Sequence, residues 1–276
     1  MTDNPDATAA SDTYTHGHHE SVLRGHSWRT AENSAGYLLA HLEPGLSLLD
    51  VGCGPGTITA DLAQLVAPGQ VTAIEVNDDI LSKAANEAGK RGATNLTFEL
   101  GDVYQLAYAD DSFDIVHAHQ VLQHLSDPVA ALREMARVTR PGGIVAVRDA
   151  DYAGMSWAPA DQRLDFWMDT YRKVAKQNQA EPDGARHLLS WALEAGFDDI
   201  TPSADAWVFA TPEDRSYWGG QWVDRAVASD FARQAVEYDF ATAEELEQVS
   251  AAFGEWAAKP DGWFVIVHGE LICRIS

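Results

Sequence analysis

Some stretches of the chain have short apolar runs typical of buried strands, and others have apolar residues at helical spacing. The sharpest change from the first pattern to the second lies at residues 48–66. Residues 48–51 read L-L-D-V, glycines follow at 52, 54 and 56, and apolar residues then recur at helical spacing. This order predicts a buried strand, a glycine turn and the start of a helix. Glycine permits a positive φ and a close approach of a ligand, which the N–H groups of the first helical turn would face. The stretch therefore predicts a site for a small ligand.

The same reasoning predicts strands and helices in the rest of the chain. The expected strands are residues 71–76, 95–100, 113–118, 144–147, 200–210 and 264–275. The expected helices are residues 21–42, 77–89, 129–139, 161–180, 186–196, 212–235 and 244–256. Together they indicate an α/β fold. We divide the chain into an N-terminal arm and capping helix, residues 1–44, and a domain of residues 45–276 with helical insertions at about 152–182 and 211–258.

Composition narrows the classes of partner. The chain has 276 residues and a formal net charge of −23, which argues against nucleic acid and against anionic membranes as partners. There is no 18-residue apolar run and no apolar signal segment in the first thirty residues. The two cysteines do not form a disulfide framework. We expect a soluble cytoplasmic protein whose partner is a small molecule, and the sequence allows a homodimer.

The spacing of the glycines distinguishes two classes of ligand. A dinucleotide site has the pattern G-x-G-x-x-G, which would need a third glycine where Thr57 stands. Here the pattern is G-x-G-x-G, with Asp50 two residues ahead, and an acid at that place suits a ligand with an ammonium group. The run L-L-D-V-G-C-G-P-G-T, residues 48–57, resembles motif I of the class I S-adenosylmethionine-dependent methyltransferases.

Three later features support this resemblance. Glu75 ends the second predicted strand, nineteen residues beyond Gly56, where an acid accepts hydrogen bonds from both ribose hydroxyls. The resemblance implies that Asp102 accepts the adenine amine and that the Val103 backbone N–H meets a ring nitrogen. The run R-V-T-R-P-G-G at 137–143 is typical of the loop before the fifth strand. Over roughly residues 45–150 the chain looks most like small-molecule methyltransferases related to the ubiquinone/menaquinone C-methyltransferases.

The resemblance implies a three-layer, Rossmann-like, seven-stranded sheet of order 3-2-1-4-5-7-6 with the last strand antiparallel, and S-adenosylmethionine as the cofactor. Ligands in such sheets lie at the carboxyl ends of the strands, where the fourth strand delivers His119, Gln120 and His124. His124 is equally well explained as a structural histidine. The expected donor-binding residues are Tyr14, Arg29, Asp50, Gly52, Cys53, Gly54, Gly56, Thr57, Glu75, Val76, Asn77, Asp102, Val103, His119, Gln120 and His124.

The N-terminal arm contains T-Y-T-H-G-H-H-E, residues 13–20. Its histidines lack helical i, i+4 spacing and a nearby cysteine, which disfavours a metal site. One hypothesis is that residues 13–29 fold over the donor, with Tyr14, His18 or Arg29 at its amino-acid moiety and Arg29 as the expected carboxylate partner. The alternative is a disordered tail followed by a packing helix.

The expected chemistry is in-line displacement of a methyl group from a sulfonium, for which alignment alone can supply about 7–11 kcal/mol. A base is needed only for an acceptor that carries a proton, and His18, His19, His119 and Asp149 are unranked candidates. No cluster of metal-binding acids is apparent, so we expect metal independence. The nine tryptophans either form the core of a helical layer or line an apolar pocket for a neutral, hydrophobic acceptor.

Two other functions stay open at this point. The first is a protein that binds S-adenosylmethionine without methylating, either regulatory or pericyclase-like, because binding motifs and methyl transfer are separable. The second is a nicotinamide-dependent oxidoreductase, which Thr57 at the third-glycine position disfavours.

Overall fold

The seven strands of the computed structural model, which describes Thr15 and residues 28–276, form one sheet of order β3-β2-β1-β4-β5-β7-β6. The strands are β1 Leu48–Val51, β2 Val71–Glu75, β3 Leu96–Leu100, β4 Phe113–His119, β5 Thr139–Ala158, β6 Asp199–Phe209 and β7 Trp263–Arg274. Strands β1 to β5 pair in parallel, whereas β7 is antiparallel to both of its neighbours. The predicted strand order and the antiparallel last strand are confirmed.

Helices connect these strands and cover the sheet. They are α1 Ala31–Ser34, α2 Gly36–Leu39, α3 Thr57–Val66, α4 Asp78–Arg91, α5 Pro128–Val138, α6 Gln162–Gln177, α7 Leu188–Ala195, α8 Pro212–Ala228, α9 Asp230–Glu237 and α10 Ala243–Ala258. Short 3₁₀ turns lie at Leu122–His124 and Gly184–His187. Among the described residues no helix is both long enough and apolar enough to span a bilayer. The division of the chain at residue 45 stays a prediction.

Two predicted helices are interrupted. Of the helix expected at residues 21–42, the described part contains α1 and α2, separated at Ala35, whose φ of −134° and ψ of 23° are not helical. The helix expected at 212–235 is divided at Ser229, whose extended backbone ends α8 and begins α9. The Ser229 hydroxyl donates to the Arg225 carbonyl at 2.7 Å and so satisfies one of the last carbonyls of α8.

Strand β5 is much longer than the predicted residues 144–147. It continues to Ala158 because β7 pairs with it from Ile144, opposite Arg274, to Ala158, opposite Trp263, with one shift of register. Strand β6 pairs with β7 over the same length. The carboxyl half of β5 therefore extends the sheet beyond the edge at which β1, β2 and β4 end.

Hydrophobic residues form a core on each face of the sheet and a third core in the helical layer. Leu48, Ile58 and Leu62 belong to the first face, and Leu49, Val116 and Met135 to the second. The third core lies among α6, α8, α9, α10 and the extended strands, and its fully buried side chains include Trp167, Trp222, Trp256, Phe253 and Phe264. For these tryptophans the structure supports the interpretation as core residues rather than as the lining of a pocket.

Candidate active site

The glycine turn after β1 has left-handed backbone at all three glycines, with φ of +67° at Gly52, +52° at Gly54 and +78° at Gly56. The N–H of Gly52 donates to the Ile74 carbonyl at 2.9 Å, which fastens the turn to β2. A Cβ at Gly52 would lie 2.6 Å from Cγ2 of Val121. The turn therefore needs glycine both for its conformation and for its packing.

The turn leads directly into α3, where Gly56 is the N-cap and Thr57 the first, buried residue. A glycine N-cap offers no side chain to the N–H groups of the first helical turn, which suits a site where a ligand meets them. Cys53 is also buried, and burial followed by the charge of Asp50 raises the pKa of its thiol. The cysteine is therefore a protonated part of the turn and not a nucleophile.

Asp50 is buried, and both of its carboxylate oxygens have partners within the protein. Oδ2 accepts from the Thr59 hydroxyl at 2.5 Å, and Oδ1 lies 2.7 Å from Nδ1 of His117. These bonds tie the end of β1 to α3 and to β4. The expected contact between Asp50 and an ammonium group stays a prediction that this geometry does not favour.

Glu75 joins the end of β2 to the glycine turn. Its Oε2 accepts from the Gly54 N–H at 3.2 Å, and its Oε1 accepts from the Val76 N–H at 2.9 Å. The side chain of Val76 is exposed, whereas the side chain of Asn77 caps α4 by accepting from the Ile80 N–H at 3.2 Å. The structure therefore uses the Asn77 side chain to start a helix, and its expected contact with the donor stays untested.

Asp102 follows the neighbouring strand β3, so the two acids expected to meet the nucleoside lie at adjacent strand ends. One Asp102 oxygen accepts from the Tyr104 N–H at 2.9 Å, which folds the chain into a short turn after the strand. The side chain of Val103 in this turn is buried. The geometry is compatible with a carboxylate and a backbone N–H presented side by side.

The end of β4 carries His119 and Gln120. His119 is buried, and neither ring nitrogen has a hydrogen-bond partner within the described residues. Burial, followed by the charges of Arg29 and Arg148, holds the pKa of His119 well below its usual range, so the imidazole is neutral at pH 7. Gln120 has a φ of +54°, an unusual value for a residue other than glycine.

The segment before α1 reaches this end of β4. Arg29 Nη2 donates to Gln120 Oε1 at 2.6 Å, and the guanidinium carbon lies 5.4 Å from the ring centre of Trp207. The Trp28 ring packs 5.3 Å from Trp207 and 5.9 Å from Tyr217, measured between ring centres. Arg29 therefore lies at the same site as Gln120. Tyr14, His18 and His19, also expected here, lie outside the described residues.

Asp149 and His124 hold the turn that follows β4. Asp149 is buried, its Oδ1 lies 3.4 Å from the Gln123 N–H, and burial raises its pKa to about 8. Gln123 Oε1 accepts from the Ala150 N–H at 2.8 Å, while Gln123 Nε2 lies 3.1 Å from Nε2 of His124. Burial and then the charge of Arg29 lower the pKa of His124 to about 3. Both residues contact this turn, and the choice of a base between His119 and Asp149 stays untested.

Sequence reasoning missed a group of polar residues on β5 and β7 that surrounds Trp207 of β6. Arg148 is fully buried, and its Nε donates to Glu270 at 3.0 Å. Its guanidinium carbon lies 5.0 Å from the Trp207 ring centre, and the His268 ring lies 4.3 Å from the same ring. A charged residue inside the apolar run of β5 was the signal available in the sequence.

Comparisons with known proteins identify methyltransferases and one cyclase. A family model described as a methyltransferase domain matches residues 42–203. An uncharacterized methyltransferase of Schizosaccharomyces pombe is 34% identical over 271 residues, 95% of this chain and 96% of that protein. A ubiquinone/menaquinone C-methyltransferase of Bdellovibrio bacteriovorus is 43% identical over 103 residues, 37% of this chain and 43% of that protein. The crystal structure of the [4+2]-cyclase SpnF is similar with a TM-score of 0.50 and 25% identity, over 92% of this chain and 81% of that one.

Proposed function

Since the chain belongs to the class I S-adenosylmethionine-dependent methyltransferases, we propose that it transfers a methyl group to a small, hydrophobic metabolite without a metal ion. The observation that carries the proposal is the Glu75–Gly54 hydrogen bond, because it fixes a strand-end carboxylate to the glycine turn. The proposed setting is the cytoplasm, and the net charge of −23 argues against nucleic acid as a partner.

The described residues fit the donor. A carboxylate has about four lone-pair sites, so Glu75 can accept from two ribose hydroxyls while it keeps its bonds to Gly54 and Val76. Asp102 would accept the adenine amine, and the glycines of the turn would place no side chain between its backbone and the amino-acid end of the donor. Arg29 would pair with the donor carboxylate through two parallel hydrogen bonds.

The donor supplies a methyl group already activated by its sulfonium. The protein's contribution is to align that methyl group with the acceptor atom and to exclude water, and alignment can supply about 7–11 kcal/mol. If the acceptor carries a proton, His119 is the residue proposed to accept it, because both ring nitrogens lack partners in the described part of the chain. Its lowered pKa makes the imidazole a weak base, which suits an acceptor whose own proton is acidic. Asp149 is less suited, since its carboxylate faces backbone N–H groups.

The acceptor is proposed to bind against an aromatic wall next to Arg29. Trp28 contacts Trp207, Phe209 and Tyr217 at ring-centre distances of 5.3, 5.4 and 5.9 Å. Flat apolar side chains with a few polar groups beside them are typical of pockets for small hydrophobic ligands. The similarity to a ubiquinone/menaquinone C-methyltransferase supports an acceptor of this kind.

A second function is supported by the similarity to a [4+2]-cyclase, which points to a pericyclase-like protein that binds the donor without transferring its methyl group. One experiment separates the two functions. The protein is incubated with methyl-labelled S-adenosylmethionine and a metabolite extract, and S-adenosylhomocysteine and labelled products are measured. Formation of both supports methyl transfer. Donor binding without S-adenosylhomocysteine supports the second function, and absence of donor binding contradicts both.

A further inference from the structure

Gln120 combines an unusual backbone conformation with a side-chain amide whose oxygen and nitrogen both form hydrogen bonds. Its φ of +54° lies in the left-handed region, where the backbone of residues other than glycine is strained and is rarely found. Its own N–H donates to the Arg148 carbonyl at 2.7 Å, so the strained residue is fixed to β5. Such strain persists only where the surrounding contacts hold it, and it is concentrated at functional sites.

The side-chain bonds of Gln120 form a chain with a defined direction. A guanidinium can only donate, so Oε1 of Gln120 must be the atom that accepts from Arg29 Nη2 at 2.6 Å. Nε2 of Gln120 then donates to Nε2 of His268 at 2.9 Å. His268 is fully buried, and burial followed by the charges of Arg148 and Arg29 holds its pKa well below its usual range. The imidazole is therefore neutral and carries its proton on Nδ1.

The Trp207 ring packs against Arg29 and His268, the two ends of this series of hydrogen bonds. Its ring centre lies 5.4 Å from the guanidinium carbon of Arg29 and 4.3 Å from the ring centre of His268. Its indole N–H donates to the Asn33 carbonyl at 2.6 Å, so the ring itself is fixed to α1. Arg29 is therefore held on one nitrogen by Gln120 and on one face by Trp207.

We propose that Gln120 and His268 are positioning residues that act through Arg29 to set the affinity for the amino-acid carboxylate of the donor. This inference rests on the proposed function, in which Arg29 pairs with that carboxylate. A bidentate pair requires the plane of the guanidinium to match the plane of the carboxylate, whereas the stem of an arginine is flexible. A guanidinium already fixed in its orientation loses less conformational freedom when the donor binds.

The test compares two ligands by calorimetry. S-adenosylhomocysteine has the amino-acid carboxylate, whereas 5′-methylthioadenosine has the same nucleoside and sulfur without it. His268→Leu removes the acceptor that orients Gln120, and it is expected to weaken the binding of S-adenosylhomocysteine by about tenfold, the upper end of the effect of one lost hydrogen bond between neutral groups. The affinity for 5′-methylthioadenosine is expected to stay within about twofold of the wild type. His268→Gln keeps an acceptor atom and is expected to retain most of the wild-type affinity for S-adenosylhomocysteine.

A double-mutant cycle with Arg29→Ala shows whether His268 acts through Arg29. In the Arg29→Ala background His268→Leu is expected to have no further effect on S-adenosylhomocysteine. If His268→Leu is poorly folded in a thermal unfolding scan, Gln120→Leu takes its place with the same expected result. Equal weakening of both ligands, or of neither, overturns the positioning role. A wild type that binds neither ligand overturns the proposed function itself, and with it this inference.

Discussion

Replacing Glu75 by alanine tests the assignment of the donor site most directly. The half-buried carboxylate ends β2 and holds the Gly54 and Val76 N–H groups at 3.2 and 2.9 Å. If it also accepts from both ribose hydroxyls, its removal deletes two hydrogen bonds to a charged group, each worth about 1.5–3 kcal/mol. Water replaces part of this interaction in the variant. We expect donor binding to weaken by ~2–4 kcal/mol, which is about 30- to 900-fold in the dissociation constant.

Calorimetry with S-adenosylhomocysteine and 5′-methylthioadenosine measures this change. Both ligands contain the ribose, so Glu75→Ala should weaken the binding of both. The His268→Leu variant, in contrast, should weaken only the binding of S-adenosylhomocysteine. Glu99→Ala is the matched control, because Glu99 lies on the adjacent strand and its carboxylate accepts from the Tyr108 hydroxyl at 2.8 Å. A dissociation constant of Glu75→Ala within twofold of the wild type would refute the assignment.

Three further predictions concern the turn, the buried acid and the arm. Gly54→Val places a β-branched residue at a φ of +52°, and we expect calorimetry to show no donor binding although the circular dichroism spectrum stays native-like. Burial raises the pKa of Asp149 to about 8 in the folded protein, against about 3.9 unfolded, so its contribution to stability is complete below about pH 4 and is lost as the pH rises through about 8. The asparagine side chain of the Asp149→Asn variant cannot ionise. Between these pH values, denaturant unfolding should show that the free energy of unfolding of the variant rises relative to that of the wild type by up to ~1.4 kcal/mol per pH unit. The same pH dependence of the free energy of unfolding in both proteins would contradict the burial argument. Deleting residues 1–20 should lower both donor affinity and turnover with a cognate acceptor, and unchanged turnover would contradict a covering role for the arm.

The end of the sheet at which the donor is proposed to bind could be predicted from sequence because its signals are local. A strand, a glycine turn and a helix follow one another within residues 48–66, and each later acid stands at the end of its own strand. Glu75 and Asp102 then lie at the same edge of the sheet, because the carboxyl ends of parallel strands are on one side. The strand order followed from the family resemblance, and the observed pairing confirms it.

The contacts that join Arg29, Gln120 and His268 could not be predicted in the same way, because they connect residues far apart in the chain. Arg29 and Gln120 are 91 residues apart, and Gln120 and His268 are 148 apart. No periodicity within a window of a dozen residues carries that information. The length of β5 has the same origin, since it depends on pairing with β7 and not on the preferences of its own residues.

The burial of the aromatic residues distinguishes the helical layer from the residues that precede α1 as a cover for the proposed acceptor site. Opening the helical layer would expose Trp167, Trp222 and Trp256, which are at most 2% exposed, at a cost of roughly 1.5–3 kcal/mol or more for each large side chain. Trp28, in contrast, is only half-buried between β6 and α8, so its own contacts cost less to break. Thr15 is buried and accepts from Asn178 at 3.1 Å, beside the end of α6, which fixes a second point of that segment to the helical layer. The arm is therefore the element whose removal should change access to the acceptor, while the helices stay closed.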